Sequence, residues 1–299
     1  TTEIYTLSLH DALPISLRSP IRHRPFMCRK RDDFRMKLLF DEWEDIKKFL
    51  AGKKILLFLD FDGTLAAIVD HYKSATILQE SKALLRQLVK DPKCFVAVVS
   101  GRALSDVRKR VGLKDIMYAG NHGLEVAGPG LAYTSFVGSE VQSLLRKIAR
   151  DLEKHLGGIK GLLIEDKRLT LSVHYRRVDR QQVALLKTIF WEVIRPYLQT
   201  RRVDLSIGKE VFEIKPAVKW NKGAVVLWLI KHMRKNGQGR KTFPVFIGDD
   251  VTDETAFIAL KRRGLCIRVG CAKVSAAQYC LKDINHVARF LKTVLDLKN

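Results

Sequence analysis

From Asp41 onward, apolar and polar positions alternate with clear periods. Trp43, Ile46, Phe49 and Leu50 recur at helical spacing, so a short helix is expected there, capped by Asp41. Residues 54–60, Lys-Ile-Leu-Leu-Phe-Leu-Asp, form a continuous apolar run between Gly52 and Gly63, which reads as a strand buried on both faces. Residues 77–90 are amphipathic and helical, and 94–99 are a second buried strand. A helix is expected after Ser100-Gly101-Arg102, and 116–119 are a third short strand. Strands alternating with helices predict a parallel α/β sheet.

The rhythm changes in the middle of the chain. A helix is expected at 139–156, strands at 161–166 and 169–175, a helix at 179–197, and strands at 202–207 and 210–215 joined at Gly208-Lys209 as a hairpin. Helix, hairpin, helix, hairpin predicts a separate α+β module with an antiparallel sheet. Helices at 222–235, 253–263 and 285–297, with strands at 243–247 and 265–269, then restore the first pattern. The expected fold class is a doubly wound, parallel-sheet α/β domain interrupted by a smaller α+β domain. The expected divisions are an N-terminal extension at 1–36, the first part of the α/β domain at 37–125, the α+β domain at 126–212, and the second part of the α/β domain at 213–299.

The extension shows no clear period and is expected to be disordered or non-native, with Met27 or Met36 as the native start. Its opening residues resemble translated sequencing-adapter sequence. Its apolar part is short and is followed, not preceded, by basic residues, which argues against a secretory signal.

The chain has 299 residues, of which 46% are hydrophobic and 29% charged, values that suit a well-filled globular core. No apolar run is long enough to span a bilayer, so no membrane partner is expected. The net charge is +22, which attracts anions in general. A nucleic-acid binder would add a basic stripe with interleaved aromatics. The one dense basic cluster, at 22–37, lies almost wholly in the extension expected to be disordered, so no nucleic acid is expected either. A monomer in a reducing cytoplasm is the expected state. The reducing compartment is read from the odd set of Cys28, Cys94, Cys266, Cys271 and Cys280, which contains no C-x-x-C pair and gives no disulfide framework.

Four short segments carry the chemistry, and they lie at or near the carboxyl ends of expected sheet strands, where open α/β sheets bind ligands. Asp60-Phe-Asp62-Gly63-Thr64 sends two carboxylates out of a strand into a turn. One carboxylate suits attack on phosphorus and the other suits acid–base work on the leaving oxygen and on water. The plain alternative is a surface Asp pair in a turn. Ser100-Gly101-Arg102 offers a hydroxyl and backbone N–H groups for phosphate oxygens, or only turn chemistry. Lys222 offers an ammonium to offset phosphoryl charge, though a lone lysine is more often a surface residue. Gly248-Asp249-Asp250-Val-Thr-Asp253-Glu254 packs acids after a buried strand, which suits Mg²⁺ and also suits a helix cap at Thr252 or Asp253.

Taken in this order, the four segments resemble the haloacid dehalogenase superfamily of phosphatases, from about residue 53 to the end. The resemblance implies Asp60 as nucleophile, Asp62 as general acid/base, and Thr64, Ser100 and Lys222 as phosphate-binding groups. It implies Mg²⁺ as cofactor, held by Asp60, the carbonyl of Asp62 and Asp249, with Asp250 or Asp253 in support. It also implies that the inserted module is a cap.

Gly120-Asn-His-Gly123, Glu165-Asp-Lys167, Val173-His-Tyr-Arg176, Glu213-Ile-Lys-Pro216 and the Lys222 and Asp249 segments are similar to the signature blocks of trehalose-6-phosphate phosphatases. For that family the implied sugar-binding groups are Glu165, Lys167 and Glu213, with His174 and Arg176, while Arg102, Asn121 and His122 face the site from the core. Lys215 lies in the same block as Glu213, at a position where the family more usually has Arg, and Arg168 stands where the family usually has Gly. Phosphatases of sucrose 6-phosphate or of glycosyl-glycerate phosphates share the core and are expected to lack the Glu165/Lys167 and Glu213 blocks.

Overall fold

The structure, a computed structural model, describes residues 4–5, 36–134, 138–235 and 242–297. The expected N-terminal extension therefore lies outside the described residues, apart from Ile4–Tyr5 and Met36. Apolar runs of five or six residues become strands, and longer amphipathic runs become helices. In chain order these are β1 (Ile4–Tyr5), β2 (Lys37–Leu38), α1 (Trp43–Leu50), β3 (Lys54–Leu59), α2 (Gln79–Leu88), β4 (Cys94–Val99), α3 (Leu104–Val111), β5 (Met117–Gly120), β6 (Glu125–Gly128) and β7 (Leu131–Thr134). Then come α4 (Ser139–Leu156), β8 (Leu163–Asp166), β9 (Leu171–His174), α5 (Arg180–Gln199), β10 (Val203–Gly208) and β11 (Val211–Pro216). The chain closes with α6 (Lys222–Lys235), β12 (Thr242–Gly248), α7 (Glu254–Leu260), β13 (Leu265–Val269), β14 (Tyr279–Leu281) and α8 (Ile284–Asp296).

The chain forms two compact units. The larger holds a ten-stranded sheet in the order β1-β7-β6-β5-β4-β3-β12-β13-β14-β2. Its strands pair in parallel except for β5–β6 and β6–β7. Every residue of β3 from Ile55 to Leu59 is fully buried. Leu56 and Phe58 pack with Val225, Val226 and Leu229 of α6 and Phe257 of α7. By alternation Ile55, Leu57 and Leu59 face the opposite side of the sheet. A strand buried on both faces cannot alternate apolar with polar, which is why this one reads as an unbroken apolar run.

The smaller unit, Ser135–Lys219 with Val69–Ser74, carries an antiparallel sheet in the order β10-β11-β9-β8. Leu145, Ile148, Leu152 and Leu156 of α4 and Leu186, Phe190 and Ile194 of α5 share one core with Leu171, Val173, Phe212 and Ile214 of that sheet. Among the described residues, no helix is long and apolar enough to cross a membrane.

Several expectations are corrected. The division expected at 125/126 falls instead after Thr134, because β6 and β7 form a hairpin on β5. The division expected at 212/213 falls after Lys219, because β11 stays paired through Pro216. The β10–β11 loop is Lys209-Glu210, since Gly208 pairs with Val211. Asp41 does not cap α1: it lies in a 3₁₀ turn, Leu39–Glu42, which runs into the helix once Leu39 docks in the core. Neither Thr252 nor Asp253 caps α7 in the expected manner. Asp250 and Asp253 instead form a reciprocal capping box around a 3₁₀ turn, Val251–Asp253. Cys271 and Cys280 are disulfide-bonded, with Cα atoms 5.4 Å apart, against the expectation of no disulfide. The chain turns back after β13 and brings the two together at a spacing no short cysteine motif marks.

Candidate active site

Three neighbouring parallel strands, β4, β3 and β12, end side by side. The residue following each is Ser100, Asp60 and Asp249, so the sheet delivers these three side chains to one edge. Asp60, Ser100 and Asp249 are buried, as are Thr64, Lys222 and Asp253.

Lys222 begins α6, and its ammonium donates to Asp60 Oδ1 and to Asp253 Oδ1, each at 2.7 Å. Asp253 Oδ2 accepts the backbone N–H groups of Asp249 at 3.0 Å and Asp250 at 2.9 Å. One carboxylate thus ties the lysine to the turn that carries Asp249. Burial works against the Lys222 ammonium, but Asp253 and Asp60 outweigh it and hold it charged, above its ordinary value. Burial pushes the Asp60 carboxyl well above its ordinary range. Lys222 opposes that shift, and Asp253 and Asp249 add to it.

Asp60, Asp249 and Asp253 each offer a carboxylate oxygen within 4.8 Å of the others. Three buried carboxylates against one ammonium leave excess negative charge. With hard oxygen donors, the set fits a divalent cation such as Mg²⁺. The Asp250 carboxylate instead accepts the N–H of Val251 at 2.7 Å, inside its own turn. Gly63 makes room for Asp249: its φ is +81°, and a Cβ there would lie 2.3 Å from the Asp249 carboxylate carbon.

Asp62 is half exposed and faces Arg102. The guanidinium donates Nε to Oδ2 and Nη2 to Oδ1, both at 2.7 Å, a two-point fork. Arg102 Nη1 donates to Asp106 at 2.8 Å, and Arg110 Nε donates to the same oxygen at 2.7 Å. Burial raises the Asp106 carboxyl, but the hydrogen bonds from Arg110 and Arg102 outweigh it and leave it below its ordinary value. Arg102 was expected to face the substrate, and its guanidinium engages Asp62 and Asp106. Asp106 was missed, although Arg102, Asp106 and Arg110 sit at i, i+4 spacing, a signal open to sequence reading.

Ser100 Oγ accepts the N–H of Arg102 at 3.2 Å. Thr64 Oγ1 is fully buried and has no hydrogen-bond partner among the described residues. A buried hydroxyl in that condition points to a ligand oxygen. Asn121 and His122 both have left-handed backbone, with φ of 49° and 56°. The Asn121 side chain donates to Glu125 at 2.7 Å. His122 packs over Gly101, where a Cβ would lie 2.6 Å from the ring.

The smaller unit brings its expected residues together in pairs. Lys167 Nζ donates to Glu213 Oε1 at 3.0 Å, and His174 Nε2 lies 2.9 Å from Glu165 Oε2. Tyr72, which sequence reading did not single out, stacks on His174 with ring centroids 5.2 Å apart. Arg176 donates to Glu210 and to the carbonyls of Val69 and Lys209. Lys215 pairs with Asp204 across β10 and β11. Arg168 has φ +69° and donates its N–H to the Asp166 carboxylate at 2.7 Å, so it adopts the conformation glycine favours at this turn.

The trehalose-phosphatase family model matches residues 58–284. The trehalose-phosphate phosphatase of Mycolicibacterium paratuberculosis is 39% identical over 213 residues, covering 71% of this chain and 53% of that protein. Trehalose-phosphate phosphatase B of Arabidopsis thaliana is 34% identical over 274 residues, covering 87% of this chain and 70% of that protein. The chain spans about half the length of the mycobacterial relative. The C-terminal domain of C. albicans trehalose-6-phosphate phosphatase has the same fold, with a TM-score of 0.75 at 23% identity over 87% of this chain and 98% of that one. From its strand-end carboxylates to the span of the family match, the chain belongs to the trehalose-phosphatase family.

Proposed function

We propose that this chain hydrolyses trehalose 6-phosphate to trehalose and phosphate, with Asp60 as the nucleophile. The observation that carries the reading is the buried bridge in which Lys222 holds Asp60 and Asp253 at 2.7 Å each, beside Asp249. Asp60 attacks phosphorus and forms an aspartyl phosphate while the sugar oxygen leaves with a proton from Asp62. Asp62 then takes a proton from water, which attacks the same phosphorus and releases phosphate and the free Asp60 carboxylate. Lys222 orients Asp60 throughout, and the hydroxyls of Thr64 and Ser100 take phosphoryl oxygens.

Asp60, Asp249 and Asp253 would hold Mg²⁺, with the Asp62 carbonyl, and Asp250 would support the turn that carries Asp249 and Asp253. When bound, the cation offsets charge on the phosphoryl group. For the sugar we propose Glu165, Lys167 and Glu213, with His174, Arg176 and Lys215 on the same unit. A carboxylate and ammonium set gives a polyhydroxylated ligand charge-assisted hydrogen bonds. Arg102 acts on Asp62 in this reading, and Asn121 and His122 shape the Ser100 turn.

The test is phosphate release from a panel of sugar phosphates with and without Mg²⁺. The expected result is a preference for trehalose 6-phosphate that requires the metal, and a loss of at least about a thousandfold in Asp60→Asn. Preference for sucrose 6-phosphate or a glycosyl-glycerate phosphate would overturn the substrate. Retained activity in Asp60→Asn would overturn the mechanism.

A further inference from the structure

Glu254 adjoins Asp253 and takes no part in the site described above. It is the first residue of α7, and its carboxylate is engaged by other elements. Oε1 accepts from Ser275 Oγ at 2.6 Å and from Arg268 Nη1 at 3.2 Å, and Oε2 accepts the N–H of Ala276 at 2.8 Å. The donors come from β13 and from the loop after it. An acid in the first turn of a helix already gains from the helix dipole. Three converging donors give it a second task.

That loop is itself held at its base. Gly270 N–H donates to the Leu281 carbonyl, Gln278 N–H donates to the Cys266 carbonyl, and the Cys271–Cys280 disulfide closes it. Helix α7 has only seven residues, too few to define its own start without tertiary contacts. Where it starts decides where Asp253 lies, and Asp253 in turn holds the N–H groups of Asp249 and Asp250 and the Lys222 ammonium.

We propose that Glu254 is a positioning residue: it braces the start of α7 against the 270–278 loop, and so keeps Asp253 and Asp249 at the separation a divalent cation requires. This rests on the reading that Asp60, Asp249 and Asp253 hold Mg²⁺. Losing a group that orients metal ligands from behind typically costs about 10–100-fold in metal affinity or activity.

The test is calorimetric titration of Mg²⁺ alone into the full chain and into Glu254→Ala, Glu254→Gln and Ser275→Ala, with phosphate release measured in parallel. Glu254→Ala should weaken Mg²⁺ binding by about tenfold or more. Glu254→Gln and Ser275→Ala should weaken it less, and phosphate release should recover toward wild type at saturating Mg²⁺. A folded Glu254→Ala that binds Mg²⁺ as tightly as wild type overturns the proposal. If Glu254→Ala fails to fold, wild-type affinity in Ser275→Ala overturns it. A wild type that binds Mg²⁺ but releases no phosphate from trehalose 6-phosphate removes the substrate reading alone. A wild type that binds no Mg²⁺ removes both.

Discussion

Asp60 is buried with two further carboxylates and one lysine, and this sets how its charge responds to pH. Its carboxyl lies well above the ordinary range, chiefly through burial. In the metal-free chain a group shifted this way supports the fold below the ordinary aspartate value of about 3.9. That support is lost as pH rises through the raised value. A divalent cation binds the ionised form, so the rise in Tm on adding Mg²⁺ should grow as pH climbs from the ordinary aspartate value through the raised one. Thermal melts with and without Mg²⁺ across that range check this, and a flat or shrinking gain contradicts it. The places of Asp60, Ser100, Lys222 and Asp249 in the fold were legible in the sequence because each directly follows a strand or opens a helix. The pairing of Arg102 with Asp62 was not, because Asp62 lies forty residues away in the chain.

At the scale of elements, caps and turns decide more than propensity does. Asp283 caps α8, accepting the N–H groups of Asn285 at 2.9 Å and His286 at 3.0 Å. Asp283→Ala should cost about 1 kcal/mol in urea unfolding at pH 7. Hydrogen bonding from His286 holds this carboxyl below its ordinary value. Its contribution is therefore present above the ordinary aspartate value and disappears as pH falls through the lowered one. Wild type and variant should converge in strongly acidic urea melts, and a difference that persists there contradicts the assignment. Long periodic elements such as α4 and α5 were legible from their apolar faces. The β6–β7 hairpin was not, because strands of four residues around Gly128-Pro129-Gly130 give too few alternations to see.

At the scale of the molecule, the chain carries a formal charge of +22, and its site is proposed to take a phosphate dianion. Such a field raises encounter rates and is screened by salt. kcat/KM for the sugar phosphate should therefore fall with rising ionic strength while kcat stays nearly constant. Steady-state rates across a salt series test this, and a kcat that falls in parallel with kcat/KM would assign the charge another role. The two-part organisation was legible from the change of rhythm near residue 139 and its return near residue 222. Its limits were not, since hydrogen bonding across β5, β6 and β7 and the pairing of β11 through Pro216 decide which unit holds each segment.

The sequence by itself determined the class of sheet and the order of the chemical groups along it. Apolar period and strand-end motifs are properties of near neighbours in the chain, and they survive without knowledge of the fold. Tertiary structure alone decided which groups meet. Lys222 reaches Asp60 across 162 positions of sequence, and the parallel register of β4, β3 and β12 delivers Ser100, Asp60 and Asp249 to one edge. Burial then makes those meetings matter, because charges removed from water must find one another or a cation.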